Sequence, residues 1–453
     1  MQSDSLSTSS VGQWLDNRPV GPFQLLIVVL CGLMTALDGF NAQAIGYVAP
    51  SISRDWHLRP GDLGPAISIG LVALMAGALF IAPLADRIGR RLILICSALL
   101  FGLGTFATAW AGNLHTLMWL RIVTGLGLGG AMPTSLALTS EFMPGRHRAF
   151  LLVMMFNGFN IGSMVGGILS VHFLRTADWR AVFLIGGLLP MLLAPVLLLL
   201  PESVNHLLRS GGARAKARLV RQLRRLGMSQ QLTNAPLPHV AAVPSGAAPR
   251  VSVRELFAPG YGATTCLLWV IFFMSLLDIY LLVSWIPTAL NVAGAAPAAA
   301  ITAAILLQAG ATVASLPVGW SLDRFGPAAT LGVAYLLGTI CIAAVGQLTH
   351  AVPWALAMTF GAGLGLIGGQ AGANAVATVA YPVYLQSTGA GWALGIGRIG
   401  SIIGPVVGGA MLNAHVSIPY IFYLSAVPAL LAAVATIFLQ RRRSGTRTAQ
   451  LAL

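Results

Sequence analysis

The strongest constraint on this chain is a series of apolar runs, each long enough to cross a lipid bilayer. A transmembrane helix needs about 20 mostly apolar residues. The sequence offers twelve such runs, with approximate limits 23–49, 62–85, 92–111, 116–140, 149–174, 179–200, 262–290, 297–320, 328–348, 352–380, 387–413 and 417–440. Charged residues make up only 8% of the chain, against about 25% in a soluble domain. The sequence therefore excludes a soluble protein and predicts an all-α membrane protein with twelve transmembrane helices.

These runs fall into two related halves. The segment Asp86-Arg87-Ile88-Gly89 returns 237 residues later as Asp323-Arg324-Phe325-Gly326, and each copy closes a long apolar run. The same offset carries Pro50 onto Pro287. Internal repeats in a membrane-embedded chain are typical of transport proteins, whose substrate site lies between the repeats near the bilayer midplane. We therefore expect two pseudo-symmetric six-helix bundles.

The polar segments predict the domain boundaries. We expect a first bundle with an amino-terminal tail at 1–200, a central loop at 201–257, a second bundle at 258–440 and a tail at 441–453. The central loop starts with a basic stretch that can form a short amphipathic helix. Its part from Gln230 to Pro249 is rich in Ala, Pro and Ser, which is typical of a flexible linker.

The distribution of Lys and Arg indicates the orientation. If the spans alternate from a cytoplasmic start, twenty of the 26 Lys and Arg residues fall in the cytoplasm and four outside. The positive-inside rule therefore predicts a multi-pass protein with both termini cytoplasmic. We expect its location to be the bacterial inner (plasma) membrane. The first 22 residues lack the apolar core of a signal peptide, so the first span is expected to be retained.

The positive-inside topology explains where the basic residues behind the net charge of +14 are placed. They lie in loops beside membrane lipid, so no nucleic-acid partner is expected. The four cysteines, Cys31, Cys96, Cys266 and Cys341, lie in apolar runs without metal-ligand spacing, so no metal site is expected. We also expect no cofactor and a monomeric protein.

Several motifs resemble the major facilitator superfamily. They are the turn from Pro83 to Arg91 after span two, Arg121 followed by four glycines in span four, the glycine ladder of span five that includes Gly162, and Pro201-Glu202-Ser203 after span six. The resemblance covers nearly the whole chain, and these motifs fall at the expected span boundaries. The resemblance implies a transporter that works by alternating access, and no enzymatic activity.

A narrower resemblance, to the aromatic acid:proton symporter family, rests on three segments. They are Leu37-Asp38-Gly39-Phe40-Asn41, Leu138-Thr139-Ser140-Glu141 and the stretch from Gly391 to Arg398. The resemblance implies proton-coupled import of aromatic carboxylates of the benzoate and hydroxybenzoate type. Two positions depart from that family, which usually has an acid at the position of Asn41 and an arginine at that of Gln386.

Charged residues inside the spans are candidates for the chemistry, because a charge at the bilayer centre costs about 2.5–3.5 kcal/mol on insertion scales. Arg398 is the candidate for the substrate carboxylate, since a guanidinium holds a carboxylate bidentately. Asp38 is the candidate proton site. The alternatives are structural ion pairs, of Arg398 with Asp278 and of Asp38 with Arg121.

The repeat adds a further hypothesis, because Asn41 corresponds to Asp278 and Asn160 corresponds to Arg398. We expect all four to face a central cavity, with Asp278 standing in for the acid missing at position 41. Glu141, at the end of span four, is a third candidate for proton coupling, and a gating role for it is equally open.

The remaining candidates complete a site for an aromatic anion, which needs apolar faces and a few polar groups as well as a cation. The predicted substrate-binding residues are Arg398, Asn41, Asn160, Phe40, Phe159, Tyr280, Trp392, Gln43, Gln308 and Asn374. The predicted gating residues are Asp86, Arg87, Gly89, Arg90, Arg121, Asp323, Arg324 and Gly326.

Other functions stay open from the sequence alone. One is proton-coupled symport of another small organic anion, and a second is a proton antiporter that exports metabolites or drugs. A third is a receptor that binds aromatic acids without moving them. Sugar uptake is disfavoured, because span seven has Asp278 and aromatic residues where sugar transporters carry paired glutamines.

Overall fold

A computed structural model describes residues 19–176, 178–210, 212–226, 253–258 and 261–451, and every regular element within these ranges is helical. The predicted linker from Gln230 to Pro249 and the first 18 residues lie outside the described ranges. The side chain of Asp323, a predicted gate, is also outside the described part of the structure.

The first half begins with six long helices, α1 to α6. They are Pro22–Asp55, Gly64–Ile88, Arg90–Thr108, Leu114–Phe142, Gly145–Thr176 and Arg180–Val196, and a 3₁₀ turn at Leu197–Leu199 continues α6. Two shorter helices follow, α7 at Val204–Ser210 and α8 at Gly212–Arg225.

The second half starts with a 3₁₀ turn at Val253–Phe257 and continues through α9 to α15. These helices are Gly262–Val292, Pro297–Phe325, Pro327–Gln347, Val352–Ala362, Gly368–Val379, Val383–Asn413 and Ile418–Leu451. A π-helical segment, Gly363–Ile367, joins α12 to α13 into one span. The described residues thus form twelve helical spans long and apolar enough to cross a membrane, which confirms the prediction.

Sequence repeats translate into matched packing in the two halves. A Cβ atom added to Gly162 in α5 would lie 1.8 Å from the carbonyl oxygen of Ala36 in α1. One added to Gly400 in α14 would lie 2.3 Å from that of Phe273 in α9. Both pairs are related by the repeat, so the first and fifth spans of each half touch backbone to backbone at the same place. Such close contacts are how helices associate in lipid, where burial of apolar surface gives little advantage.

The repeated motif behaves in the same way in both halves. Gly89 has φ 108° and Gly326 has φ 80°, a region that residues with a Cβ rarely adopt. Each glycine ends one span and lets the next begin at once. Pro50 and Pro287 likewise both lie inside the first long helix of their half.

The two halves meet at the end of the molecule that carries the loop between α1 and α2, which we call the closed end. Here Asn413 Oδ1 accepts a hydrogen bond from Gly61 N at 2.9 Å, and Asn413 Nδ2 donates to Asp62 Oδ1 at 2.8 Å. Close by, Ser68 Oγ donates to the carbonyl oxygen of Ile402 at 2.8 Å. The opposite end carries the turn between α2 and α3, and we call it the Arg90 end.

Candidate functional site

A cavity of about 210 Å³ lies between the two halves. Its wall combines residues of α1, α2, α4 and α5 from the first half with residues of α9, α10 and α13 from the second. Apolar side chains such as Leu71, Leu74 and Ile279 form much of the surface. The polar and aromatic residues in the wall are Asn41, Gln43, Arg121, Thr124, Phe159, Asn160, Tyr280, Ser284, Gln308 and Gln370.

Arg121 is the cation in this wall. It is buried, with 5% of its surface exposed. Its Nη2 donates to Thr108 Oγ1 at a long 3.4 Å, and its guanidinium carbon lies 5.2 Å from the ring centre of Phe183. Its Nε has no hydrogen-bond partner, and it forms no ion pair among the described residues. A buried arginine without an acidic partner is suited to receive an anion.

Arg398 approaches the same cavity from behind Tyr280. Its Nη1 lies 3.3 Å from the Tyr280 hydroxyl oxygen, to which it donates. Tyr280 lines the cavity, whereas Arg398 itself does not. The guanidinium also interacts electrostatically with the carboxyl group of Asp38 in the other half. Arg398 therefore contacts a cavity-lining phenol, and its charge acts on a buried acid of the other half.

Two carboxyl groups are buried in the first spans of the two halves. Asp38 in α1 is 2% exposed and Asp278 in α9 is fully buried. Asp38 Oδ1 and both side-chain oxygens of Asp278 lack hydrogen-bond partners. The ion pairs that the sequence left open, of Asp38 with Arg121 and of Asp278 with Arg398, are not among the salt bridges of the described residues.

Asn41 is fixed in one orientation by two carbonyl groups. Its Nδ2 donates to Leu37 O at 2.9 Å and to Gly186 O at 3.0 Å, so it links α1 to α6. Its Oδ1 is left without a partner. Asn41 and Asn160 line the cavity, while their repeat partners Asp278 and Arg398 do not.

Other predicted substrate-binding residues divide into two groups. Gln43, Phe159, Tyr280 and Gln308 line the cavity. Phe40, Trp392 and Asn374 do not. Phe40 is buried in a hydrophobic cluster to which both halves contribute, and Trp392 is 43% exposed and stacks on Trp269. Asn374 is exposed and accepts a hydrogen bond from Gln370 Nε2 at 3.1 Å.

The Arg90 end holds most of the predicted gating residues. Arg90 Nη1 lies 2.9 Å from Glu141 Oε1, an ion pair whose angles fall outside those of a hydrogen bond. Arg90 Nη2 also lies 3.3 Å from Asp86 Oδ1. Glu141 accepts a hydrogen bond from Ser203 Oγ at 3.0 Å. Glu141 is therefore tied into the surface network and does not line the cavity.

A carboxylate that the sequence motif alone did not assign completes this network. Glu202 Oε1 accepts from Arg90 N at 2.7 Å and from Ser203 N at 2.9 Å, so it caps the amino terminus of α3. A negative charge at a helix amino terminus is stabilising. Arg87 and Arg324 are exposed, and the guanidinium carbon of Arg324 lies 5.3 Å from the ring centre of Trp320.

Sequence reasoning assigned Arg121 to gating, whereas its position is in the cavity wall. It also left Thr124 and Ser284 out of the candidates. The available signal was that Arg121 is one of two arginines inside a span, and such residues face the bundle interior or a cavity.

Twelve spans, two pseudo-symmetric halves and a largely apolar cavity with a few polar groups between them define a membrane transporter of the alternating-access type. Comparison with known proteins supports this class. A profile of the Major Facilitator Superfamily matches residues 31–307 and 268–452. A solved bacterial homologue of the human lysosomal transporter Spinster shares the fold with a TM-score of 0.71 and 17% identity, over 94% of this chain and 98% of that one. The Escherichia coli xylose transporter XylE superposes with a TM-score of 0.69 and 16% identity, over 91% and 98%.

Relatives with closer sequences carry more specific names. A gallate transporter of Pseudomonas putida is 38% identical over 94% of each chain. A 4-hydroxybenzoate transporter, PcaK, of Pseudomonas aeruginosa is 37% identical over 94% of this chain and 95% of the relative. The chain therefore belongs to the major facilitator superfamily and, within it, to the aromatic acid:proton symporter family.

Proposed function

We propose that this protein imports monocyclic aromatic carboxylates of the benzoate and hydroxybenzoate type together with protons. The observation that carries the proposal is the cavity between the halves. It has apolar walls, a buried Arg121 without an acidic partner among the described residues, and, in the wall of the second half, Tyr280, whose hydroxyl group accepts a hydrogen bond from Arg398. The names of the relatives, for gallate and 4-hydroxybenzoate, agree with this chemistry.

In this proposal the arginines select an anion. When substrate binds, Arg398 moves from its position beside Tyr280 into the cavity and holds the carboxylate together with the Tyr280 hydroxyl group, because a guanidinium provides paired donors that match the two carboxylate oxygens. Arg121 places a second positive charge in the first half. Binding the anion then bridges the halves, which is what a transporter needs if its two bundles move around a loaded site.

The wall between these arginines accommodates the ring. Phe159 and the leucines offer apolar contact, while Gln43, Gln308 and Gln370 offer donors and acceptors to a ring hydroxyl group. A site that pairs a hydroxyl group rejects analogues lacking it, since its own polar groups are then left unsatisfied. We therefore expect hydroxylated benzoates to bind more tightly than benzoate.

Asp38 is the proposed proton carrier. A carboxylate anion entering a cell with a negative interior is opposed by about 2.3 kcal/mol per 100 mV, and one proton cancels that charge. With Asp38 protonated, Arg398 loses an electrostatic partner and is freer to bind the substrate. Release of the proton and the substrate inside the cell resets the cycle.

This mechanism requires a defined orientation. We propose that the Arg90 end and both termini face the cytoplasm of a bacterium and that the closed end faces outward. The protein then acts as a monomer in the inner membrane, with 1–200 and 258–440 as its two moving bundles and the central loop on the cytoplasmic side.

Ligand binding tests this proposal directly. We would measure the melting temperature of the purified protein with benzoate, 4-hydroxybenzoate, gallate and a neutral analogue, 4-hydroxybenzamide. The acids should raise the melting temperature of the wild type and, at equal concentration, have a much smaller effect on Arg398→Gln. An anion site would be contradicted if the neutral amide raised the melting temperature as much as the acids, or if none of the acids raised it.

A further inference from the structure

A groove of about 420 Å³ lies at the Arg90 end, apart from the central cavity. Its walls come from the turn between α2 and α3, the end of α6, and the short helices α7 and α8. No step of the proposed transport cycle uses this groove. Its lining combines two arginines with aliphatic side chains, a combination that suits a ligand with a charged head and an apolar body.

The aliphatic side of the groove faces outward from the bundle. Ile88 is 42% exposed, Leu92 46% and Leu198 59%. Leu92 lies near the start of α3 and Leu198 near the end of the sixth span, so both lie where apolar spans meet the membrane surface. Exposed aliphatic side chains at the end of a span are in contact with lipid acyl chains.

The two arginines on the charged side of the groove have few strong hydrogen bonds or ion pairs among the described residues. Arg91 Nη1 reaches the carbonyl oxygens of Leu198 and Leu200 only at 3.4 and 3.5 Å. Arg218, on α8, is exposed, and the salt bridges of the described residues do not include it. Two guanidinium groups at one groove form a site for an anion with several oxygens.

The acid at this groove forms no salt bridge with these cations among the described residues. Glu202 lines it, but Glu202 Oε1 accepts from the backbone nitrogens of Arg90 at 2.7 Å, Arg91 at 3.3 Å and Ser203 at 2.9 Å. It is thus engaged in capping α3. His206 also lines the groove, with its Nε2 3.3 Å from Ser210 Oγ.

Helix α8 is held in a fixed rotation, which is why Arg218 points into the groove. Ala215, Leu219 and Leu223 are buried against the first half. Arg221 and Arg224 lie on the same helix but outside the groove lining. The position of Arg218 is therefore set by packing and not by general attraction of a basic helix to a membrane.

We propose that this groove binds the phosphate of an anionic glycerophospholipid between Arg91 and Arg218, with its acyl chains along Leu92 and Leu198. Charge complementarity favours an anionic head group, and the lipid-facing aliphatic side favours a membrane lipid over a soluble phosphate. Basic pockets at the cytoplasmic ends of spans are suited to such lipids. A bound lipid would tie the central-loop helix to the turn that carries Arg90.

The test compares matched arginines on one helix. Purified protein would be titrated in detergent with phosphatidylglycerol or phosphatidylcholine, with melting temperature and retained lipid by native mass spectrometry as readouts. We expect phosphatidylglycerol alone to bind, with an apparent affinity at least about fivefold lower in Arg218→Gln. Arg224→Gln, the same change outside the groove, should bind like the wild type.

Other outcomes would overturn the proposal. Equal losses in Arg218→Gln and Arg224→Gln would mean that the helix attracts lipid only through its overall charge. Equal binding of phosphatidylcholine would remove the anionic selectivity. If inorganic phosphate or glycerol 3-phosphate raises the melting temperature as much as the lipid does, the groove is a site for a soluble anion.

The second arginine of the groove gives a further check. Arg91→Gln should weaken phosphatidylglycerol binding in the same way as Arg218→Gln, and unchanged binding would remove Arg91 from the proposed site.

Discussion

Buried charged residues differ in how their charge is satisfied, and this difference assigns their roles. Arg90 and Glu141, each with 12% of its side chain exposed, pair with each other at one end of the first half, whereas Arg121, Asp38 and Asp278 are buried without ion pairs among the described residues. A charge kept unpaired in a membrane interior is costly. Such residues are therefore expected to gain partners during the transport cycle, from substrate or from protons.

The two buried acids are expected to respond differently to neutralisation. Asp38 interacts with Arg398, whereas Asp278 is fully buried with both oxygens unpartnered. We expect Asp38→Asn to abolish uptake driven by a proton gradient while leaving exchange of labelled for unlabelled substrate. Asp278→Asn should also lower gradient-driven uptake if Asp278 replaces the acid missing at position 41.

Both assays would be run on the same proteoliposomes, so that a folding defect is seen as loss of exchange. Asp38→Asn with full gradient-driven accumulation would remove Asp38 from the proton path. Unchanged uptake by Asp278→Asn would end the idea that it stands in for the acid at position 41.

Single residues also show where the sequence stops predicting the site. It identified the charged residues inside the spans, but not which way each faces. In a span that is apolar on every side, a periodic pattern does not separate the cavity face from the lipid face. Trp392 illustrates this, since lipid and a substrate ring are both apolar surroundings for an indole, and it lies exposed beside Trp269.

At the level of helices, backbone-to-backbone contact between the first and fifth spans should be sensitive to one methyl group. Gly400 and Gly395 are both in α14, but a Cβ at Gly400 would lie 2.3 Å from Phe273 O, while one at Gly395 would meet nothing within 4 Å. We expect Gly400→Ala to cost about 1–3 kcal/mol through overpacking. Gly395→Ala should be neutral or stabilising by up to about 1 kcal/mol, because alanine favours a helix.

Thermal unfolding in one detergent compares the two variants. A lower melting temperature for Gly400→Ala but not for Gly395→Ala is expected. Equal melting temperatures would contradict the close contact between α9 and α14.

The closed end supplies a second prediction for helices. Asn413 joins α14 to the loop after α1 through Gly61 and Asp62. Losing two hydrogen bonds, each worth about 1 kcal/mol, should favour opening at this end in Asn413→Ala. A cysteine in place of Ser68, in a background with Cys96 and Cys266 changed to serine, should then react with an impermeant maleimide at least about fivefold faster.

Asn291→Ala provides the control, because Asn291 bonds to Ala295 within its own half. An equal increase in labelling in both variants would mean that Asn413 does not hold the halves together.

External acid should not release this contact in the physiological range. Partial burial alone would raise the pKa of Asp62, but hydrogen bonds from Arg59 and Asn413 and the charge of Arg59 outweigh it and hold the pKa below its usual value. A carboxylate with a lowered pKa stabilises the folded contact at neutral pH and loses this effect only as pH falls through that lowered value. The contact therefore stays intact near pH 5–7.

Helix limits were largely predictable from apolar length, but local irregularities were not. The span predicted at 352–380 contains the π-helical segment Gly363–Ile367, which interrupts the regular α-helix where the span packs closely against a neighbouring helix. A Cβ at Gly363 would lie 1.9 Å from the carbonyl oxygen of Leu307 in α10. Since glycine and small residues recur throughout the spans, their pattern did not mark this place in advance.

For the whole molecule, the repeat predicted more than the helix count. It identified matched contacts at Gly162 and Gly400 and matched turns at Gly89 and Gly326. It led to the expectation that both members of each polar pair face the cavity, whereas only Asn41 and Asn160 line it and Asp278 and Arg398 do not. The two halves share a backbone plan but differ in the side chains that line the cavity, which suits an asymmetric ligand.

The most direct test of the account is accumulation of labelled 4-hydroxybenzoate in proteoliposomes that contain the purified protein and an imposed proton gradient, acid outside. We expect the labelled acid to accumulate well above its external concentration, and this accumulation to be lost when a protonophore collapses the gradient. Uptake by Arg398→Gln should be at least about tenfold weaker, since a hydrogen bond to a charged group contributes about 1.5–3 kcal/mol. Uptake that only equilibrates the acid, or that is unchanged by the protonophore and by Arg398→Gln, would contradict proton-coupled import of an anion held by that arginine.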